Sequence, residues 1–134
     1  MKANEFRIGN TIDVSGIICN ITCLEEQRLT TDYQDHWYLG YDEIDPIPLT
    51  RKLLLKIGFE NWGAVYPAET GLNTIRYVLH NVIDGTSNFE IHIDDNKFYP
   101  CVDNDACCWY DFKYVHQLQN LYYALTGHEL TCKR

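Results

Sequence analysis

The hydrophobic pattern of residues 6–48 is that of short β-strands separated by turns. Ile12 and Val14 alternate with polar residues, and the pair Ser15-Gly16 then marks a turn. The apolar positions that follow it, two residues apart, are Ile17, Cys19, Ile21 and Cys23. Alternation with period two between glycine turns predicts half-buried strands. Several such strands close together predict an SH3-like small β-barrel, or a strongly bent meander, for the unit formed by residues 1–48.

A segment with two prolines, IDPIPLTRKLLLKIGF, separates this unit from the rest of the chain. Pro46 and Pro48 favour extended backbone, because each proline fixes its own φ and restricts the residue before it. Thr50 is then placed to cap a short helix from Arg51 to Ile57, and Gly58 is placed to end it. A helix this short needs a sheet to pack on.

Period-two alternation returns after Asn73 and predicts an antiparallel meander of three strands. Turns are expected at residues 84–87 and 94–97. Pro100 in the third strand favours an edge position, because proline cannot donate a backbone hydrogen bond to a neighbouring strand. The residues expected on the apolar face of the meander are Ile75, Tyr77, Leu79, Ile83, Phe89, Ile91 and Ile93.

The segment YVHQLQNLYYALTG, residues 114–127, has apolar residues at intervals of three and four, which predicts a helix lying on the meander. Asp111 is the expected N-cap and Gly127 the expected stop. The polar or amphipathic residues expected on the flanks or outer side of this helix are His116, Gln117, Asn120 and Tyr123. The predicted fold class is therefore α+β, in which residues 49–134 form the short helix, the meander and the C-terminal helix, and share one core with the first unit.

The charge balance narrows the classes of function. The chain of 134 residues has 11 basic and 19 acidic side chains, which gives a formal net charge of −8. Binding to a phosphate backbone requires the opposite sign, so no direct nucleic-acid binding is expected. An acidic surface suits cations or the basic surfaces of partner proteins.

The apolar segments are too short for targeting or membrane insertion. The N-terminal residues lack the apolar run of a signal peptide, and the longest strongly apolar cluster, Leu53-Leu54-Leu55, cannot span a bilayer. We therefore expect a cytoplasmic protein without a membrane segment, whose six cysteines are thiols.

Three phrases carry a resemblance to a known group of proteins: ANEFRIGN, IDPIPLTRKLLLKIGFE and YVHQLQNLYYALTGHELT. In these phrases and their order, which cover roughly half the chain, it resembles a family of short hypothetical proteins found in gut anaerobes, their prophages and other mobile elements. The resemblance brings no catalytic residue or ligand. It implies a phage or mobile-element accessory protein, a setting in which small acidic proteins often inhibit a host system such as a CRISPR effector or a nucleotide-signalling defence.

The cysteines offer little support for a metal site or a nucleophile. Cys19 and Cys23 share a strand face but lack the two-residue spacing of a zinc knuckle, which favours two buried thiols acting as small apolar side chains. The other cysteines contain no C-x-x-C pair: they are Cys101, Cys107, Cys108 and Cys132. A nucleophilic Cys107 or Cys108 activated by His116 would need a pairing in space that the sequence does not show. We expect no metal and no cofactor.

Two histidines and a carboxylate are expected on the face of the meander that points away from the core. With a turn at residues 84–87, His80 lies opposite His92, and Glu90 is next along the strand. Such a set can bind a divalent metal or a phosphate, and a solvated cross-strand pair is the simpler interpretation. With Arg76, the histidines would also hold the phosphate of a nucleotide.

An aromatic and acidic segment near residues 32–42 has the composition of an interaction surface. Trp and Tyr provide large contact areas at low entropic cost, and packing inside the protein is the competing interpretation. Aromatic residues further along the chain either extend this surface or line a pocket in which a base stacks. The residues concerned are Tyr33, His36, Trp37, Tyr38 and Tyr41, followed by Trp62, Tyr66, Trp109 and Tyr110.

These observations predict a non-enzymatic binding protein whose acidic aromatic surface engages a host protein, such as a defence or nucleic-acid-binding protein. The alternative is a nucleotide-binding sponge that sequesters a small signalling ligand. A metal-dependent hydrolase is the third hypothesis and has the least support, because no P-loop, dinucleotide-binding, nucleophile-elbow or zinc-protease motif occurs in the chain.

Overall fold

The computed structural model describes residues 5–33, 38–64, 74–103, 105, 106 and 111–131. These residues form two antiparallel sheets, two α-helices and one turn of 3₁₀ helix at Tyr41–Glu43, which confirms the α+β class. Neither helix is both long enough and apolar enough to cross a membrane. In chain order the elements are β1 (Thr11–Val14), β2 (Ile17–Leu24), β3 (Arg28–Thr31), β4 (Leu39–Gly40), β5 (Asp45–Pro46), α1 (Arg51–Ile57), β6 (Glu60–Ala64), β7 (Ile75–Ile83), β8 (Ser87–Asp94), β9 (Lys97–Val102), β10 (Asp105–Ala106) and α2 (Val115–Thr126).

The first sheet has five strands in the order β4-β3-β2-β1-β5. Ser15 and Gly16, both with positive φ, form the predicted turn between β1 and β2, and the Asp13 carboxylate accepts the Gly16 N–H at 2.6 Å. β4 and β5 end the sheet on opposite sides, so the described strands form an open sheet and the closed SH3-like barrel is not confirmed. The inward-facing residues of this sheet and its flanking segments form the first core: Phe6, Ile12, Cys19, Ile21, Leu29, Tyr41 and Ile44.

The segment with two prolines connects the sheets in extended form, as the sequence predicts. Pro46 lies in β5, and Pro48 forms a bridge with Tyr114, just before α2. Thr50 caps α1, and Gly58 ends it with a φ of 120°, a value that glycine tolerates and other residues rarely adopt.

Replacing Thr50 with alanine is expected to lower the free energy of unfolding by about 1 kcal/mol. The Thr50 hydroxyl oxygen accepts the backbone N–H of Leu53 at 3.2 Å, and alanine removes that acceptor. Urea unfolding followed by circular dichroism measures the change. Thr50→Ser keeps the oxygen and is the control, so equal stability of the two variants would show that the cap contributes nothing.

The second sheet also has five strands, in the order β10-β9-β8-β7-β6. The three predicted strands form its centre, and the predicted sheet is too small because β6 and β10 extend it on either side. The sequence analysis missed β6 because Asn61-Trp62-Gly63 shows no apolar alternation. Pro100 lies in β9, which has the two-residue strand β10 on its outer side.

Helix α2 covers the second sheet, as its apolar stripe predicts. Val115 and Leu118 are fully buried there, and Gly127 ends the helix in the left-handed conformation with φ 73°. The second core consists of Leu49, Leu54, Phe59, Tyr77, Phe89, Ile91, Ile93, Phe112, Val115, Leu118 and Leu130.

The start of α2 differs from the sequence prediction. Asp111 is not the N-cap: the helix begins at Val115, and Tyr114 precedes it in extended conformation. The side-chain oxygen of Gln117 accepts the N–H groups of Lys113 and Tyr114 at 2.8 and 3.0 Å. Because Gln117, a residue of the helix itself, accepts the hydrogen bonds of these two N–H groups, the N-cap is Tyr114 and not Asp111.

One polar side of α2 joins the helix to the first sheet. Gln119 is fully buried, and its side-chain oxygen accepts the Thr11 N–H at 2.8 Å. Its nitrogen donates to the Thr11 hydroxyl at 3.0 Å and to the Leu130 carbonyl at 2.9 Å. The Asn10 side chain donates to that of Asn120 at 2.8 Å. The described buried apolar residues fall into two clusters, the first and second cores. We call the contacts of Asn10, Thr11, Gln119 and Asn120, which join α2 to the first sheet, the polar joint.

Candidate binding surface

One face of the second sheet brings together many of the polar residues that the sequence analysis selected. Strand residues alternate between faces, and Tyr77, Phe89 and Ile91 take the side of the second core. Up to the bulge that follows Leu79, the even-numbered residues of β7 therefore lie on the opposite face together with those of β8, next to side chains of β6. We call this set the Trp62 surface: Glu60 and Trp62 of β6, Arg76 and His80 of β7, and Glu90 and His92 of β8.

The predicted pairing of His80 with His92 is wrong, because Arg76 is the residue opposite His92. Two features change the register: Ile83 pairs with Ser87 across a three-residue turn, and β7 bulges between Leu79 and Ile83. In the bulge, Asn81 has a φ of 54° and donates its N–H to the Asn88 side chain at 3.0 Å. The bulge takes up residues that a regular hairpin would pair. His80 is therefore displaced along the sheet from His92.

Glu90 is the buried centre of this surface. Its two carboxylate oxygens accept Arg76 Nε at 2.5 Å and Nη2 at 2.9 Å, and the first oxygen also lies 2.9 Å from His92 Nε2. The Glu90 side chain is fully buried. Burial raises the pKa of Glu90, but the hydrogen bonds and charges of Arg76 and His92 outweigh it and hold the pKa below its ordinary value. Glu90 is therefore a charged carboxylate that fixes the Arg76 guanidinium.

Trp62 is half-exposed, yet its indole ring has a defined position. Its Nε1 donates to Glu60 Oε2 at 3.3 Å, and its ring centroid lies 4.7 Å from that of His80 and 5.0 Å from the Arg76 guanidinium carbon. His80 Nε2 also lies 2.9 Å from Glu60 Oε2. The hydrogen bonds from Trp62 and His80 lower the pKa of Glu60. The sequence analysis missed Glu60, although its spacing of two from Trp62 places both on one face once β6 is seen as a strand.

Each basic side chain that the sequence analysis assigned to a phosphate has a carboxylate partner in the structure. Arg76 and His92 contact Glu90, and His80 contacts Glu60. A phosphate would have to compete with these carboxylates, which disfavours nucleotide binding on this face. In the ranges described, no group of three or more His, Cys, Asp and Glu side chains could hold a metal ion.

The aromatic segment around residues 33–41 is divided between surface and core. Tyr33 and Tyr38 are exposed, and the Arg28 guanidinium carbon lies 3.9 Å from the centroid of the Tyr38 ring. Tyr41 packs in the first core, and its hydroxyl donates to the Glu25 carbonyl at 2.6 Å. Burial raises the pKa of Tyr41. Tyr41 therefore packs inside the protein, which is the competing interpretation given for this segment in the sequence analysis.

Several selected residues lie outside the residues that the structure describes. Among the predicted binding residues these are His36, Trp37, Tyr66 and Trp109, and Tyr110 belongs with them. The same holds for three of the cysteines, which are Cys107, Cys108 and Cys132.

The cysteines on β2 are not a matched pair of buried thiols. Cys19 is buried in the first core, whereas Cys23 is exposed. The pairing of β2 with β3 shifts between Ile21 and Cys23, which interrupts the alternation that the sequence predicts for this strand. Cys101 is buried on β9, opposite Glu90.

Comparisons of the chain with family models, curated proteins and solved structures find no match. The geometry of the Trp62 surface is therefore the basis on which a function is inferred.

Proposed function

We propose that this chain is a non-enzymatic binding protein that engages a host protein through the Trp62 surface. The observation that carries the proposal is the half-exposed Trp62 ring, which three neighbours hold in one position. Tryptophan and arginine are the residue types most enriched among those that dominate binding energy. A ring that is already ordered loses less conformational entropy on binding, which favours affinity.

The charge of the protein supports a basic partner. The formal net charge is −8, and Glu60 at the edge of the surface is largely exposed while its pKa is lowered. Negative charges around an aromatic centre attract a partner that carries lysine or arginine around an apolar pocket. Such complementarity speeds association and makes it sensitive to salt.

We further propose that binding inhibits a host system in the cytoplasm, such as a CRISPR effector or a nucleotide-signalling defence. This part of the proposal is supported by the resemblance of the three sequence phrases to proteins of prophages and mobile elements. The inhibitor would act by occupying a surface of its target.

Trp62→Ala is expected to weaken partner binding by about 30-fold or more, the effect of losing a residue that contributes at least 2 kcal/mol. Its melting temperature should stay close to that of the wild type, because the ring is half-exposed. The partner is first captured from the natural host, identified by mass spectrometry and purified. The affinity of each variant for it is then measured by calorimetry.

Leu55→Ala is the matched control, because Leu55 is as exposed as Trp62 but lies on α1. A Tyr33→Ala/Tyr38→Ala variant tests the other exposed aromatic site. If that variant loses the partner while Trp62→Ala keeps it, binding uses the first sheet and the Trp62 surface is not the site. A melting shift with nucleotides and no captured protein would instead support the sponge.

A further inference from the structure

His116 occupies a buried position where α2 meets the first core. It is the second residue of the helix and is only 3% exposed, although the sequence analysis expects it on a flank or the outer side. Its ring centroid lies 4.7 Å from that of Phe6, a residue of the first core, and 5.7 Å from that of Tyr114, with a nearly parallel plane. His116 therefore packs between aromatic rings and connects α2 with the first core.

The His116 ring has one nitrogen without a hydrogen-bond partner. Nδ1 is buried and neither accepts nor donates a hydrogen bond. In the neutral ring with its proton on Nε2, Nδ1 is an unfilled acceptor, which is tolerable. A second proton would turn Nδ1 into a buried, charged donor without an acceptor, which is much less favourable. The site also lies in the first turn of α2, where the helix dipole disfavours a positive charge.

The groups that influence the protonation of His116 belong to the segments packed around its ring. Burial lowers the pKa of His116, and the Glu5 carboxylate in the N-terminal segment opposes that shift more weakly. Tyr114 presents its ring from the start of α2. The nearby polar joint consists of neutral side chains, which do not titrate in this range. The N-terminal segment also carries Arg7, whose guanidinium is paired with the Glu129 carboxylate.

We propose that His116 makes the contact between α2 and the first core acid-sensitive, so that protonation of its ring separates Phe6 from the helix. A cleft of about 320 Å³ beside the ring, lined by Glu5, Tyr114, His116 and Gln117, lets water reach the site once the contact loosens. In the opened form the imidazolium is hydrated and lies near the Glu5 carboxylate. The second core stays packed in this step, so the second sheet and the Trp62 surface are unchanged.

The sign of the effect follows from the lowered pKa. An unfolded or opened chain has a histidine pKa of about 6.5, so below that pH the opened form binds more protons than the closed form. The contact between Phe6 and α2 is therefore fully formed above about pH 6.5 and is lost as the pH falls below that value. One linked proton changes the closed-to-open ratio by up to about tenfold per pH unit.

The experiment is a pH titration of the whole chain between pH 7.5 and 5, with NMR signals of the His116 ring and the Phe6 and Thr11 amides as readouts. We expect the His116 midpoint to lie below about 6.5 and the Phe6 and Thr11 signals to move with it, while the signals of α1, which contains no histidine, stay unchanged. His116→Phe keeps an aromatic ring and should abolish the change. His128→Asn alters an exposed histidine and should preserve it.

A His116 midpoint at or above 6.5, or amide signals that shift equally in wild type and His116→Phe, would overturn the proposal. If His116→Phe does not fold, the ring titration of the wild type decides alone, since that measurement needs no variant.

Discussion

Arg76→Met is expected to lower the free energy of unfolding by about 3–5 kcal/mol, because it leaves the buried Glu90 carboxylate without its main partner. Methionine has nearly the length of the arginine stem but donates no hydrogen bond. Chemical unfolding at neutral pH measures the loss. The double variant Arg76→Met/Glu90→Leu removes the charge as well and should recover most of the stability.

Arg28→Met is the matched control for this prediction. Arg28 also lies over an aromatic ring and bonds to a glutamate, at 2.6 Å from Glu25, but both side chains are largely exposed. An exposed ion pair contributes little to stability, because water screens the two charges, so the control should be nearly neutral. If Arg76→Met were as mild as Arg28→Met, the buried pair would not hold this face together.

The pH dependence provides a second readout for Glu90. Its pKa is lowered in the folded state, so its contribution is present above the unfolded value of about 4.3 and is lost as the pH falls through and below that value. The wild type should therefore lose stability below about pH 4.3 more steeply than the Arg76→Met/Glu90→Leu variant.

Gln119→Ala is expected to lower the free energy of unfolding by about 2–4 kcal/mol, because it leaves buried polar groups of the joint unsatisfied and a cavity beside them. The Thr11 N–H loses its acceptor, and the Leu130 carbonyl loses its donor. The measurement is urea unfolding, combined with amide hydrogen exchange in β1.

Gln27→Ala makes the same chemical change at an exposed position and should shift stability by less than about 0.5 kcal/mol. We also expect the β1 amides to exchange faster in Gln119→Ala than in Gln27→Ala, because the joint ties the first sheet to α2. Equal exchange and equal stability in the two variants would show that Gln119 is not a structural contact.

The sequence predicts those parts of the fold in which one periodic apolar face meets a single partner. The alternation in β7 and β8 correctly assigns Tyr77, Phe89 and Ile91 to the core, and the stripe of α2 correctly assigns Val115 and Leu118. Both patterns result from local backbone geometry and burial, which a sequence displays directly.

The sequence does not predict burial that depends on a second packing partner from a distant part of the chain. The burial of His116 and Gln119 requires the first sheet to pack on α2, which periodicity of the helix alone does not reveal. One signal was available: α2 contains no Asp, Glu, Lys or Arg from Val115 to Thr126, whereas a helix with a solvent face usually carries charges. The bulge at Asn81 is another failure, since a tolerated positive φ leaves no clear mark in a sequence.

For the candidate surface, the sequence predicts the face on which several residues lie but not the contacts that they make. Trp62, Arg76, Glu90 and His92 do lie on one face, but the predicted histidine pair is replaced by a carboxylate that binds an arginine and a histidine. The difference arises from a register shift of four residues, from His80 to Arg76 opposite His92; because the shift is even, it changes the cross-strand neighbours while leaving each residue on its face.

The position of α2 has a consequence for how the protein is made. The helix follows all the described strands in the chain, and it covers the second sheet and also holds the first. On the ribosome the strands emerge first, so Phe89, Ile91 and Ile93 lack the cover of α2 until that helix has been synthesised. The nascent chain therefore passes through a stage in which part of this apolar surface is exposed and open to aggregation.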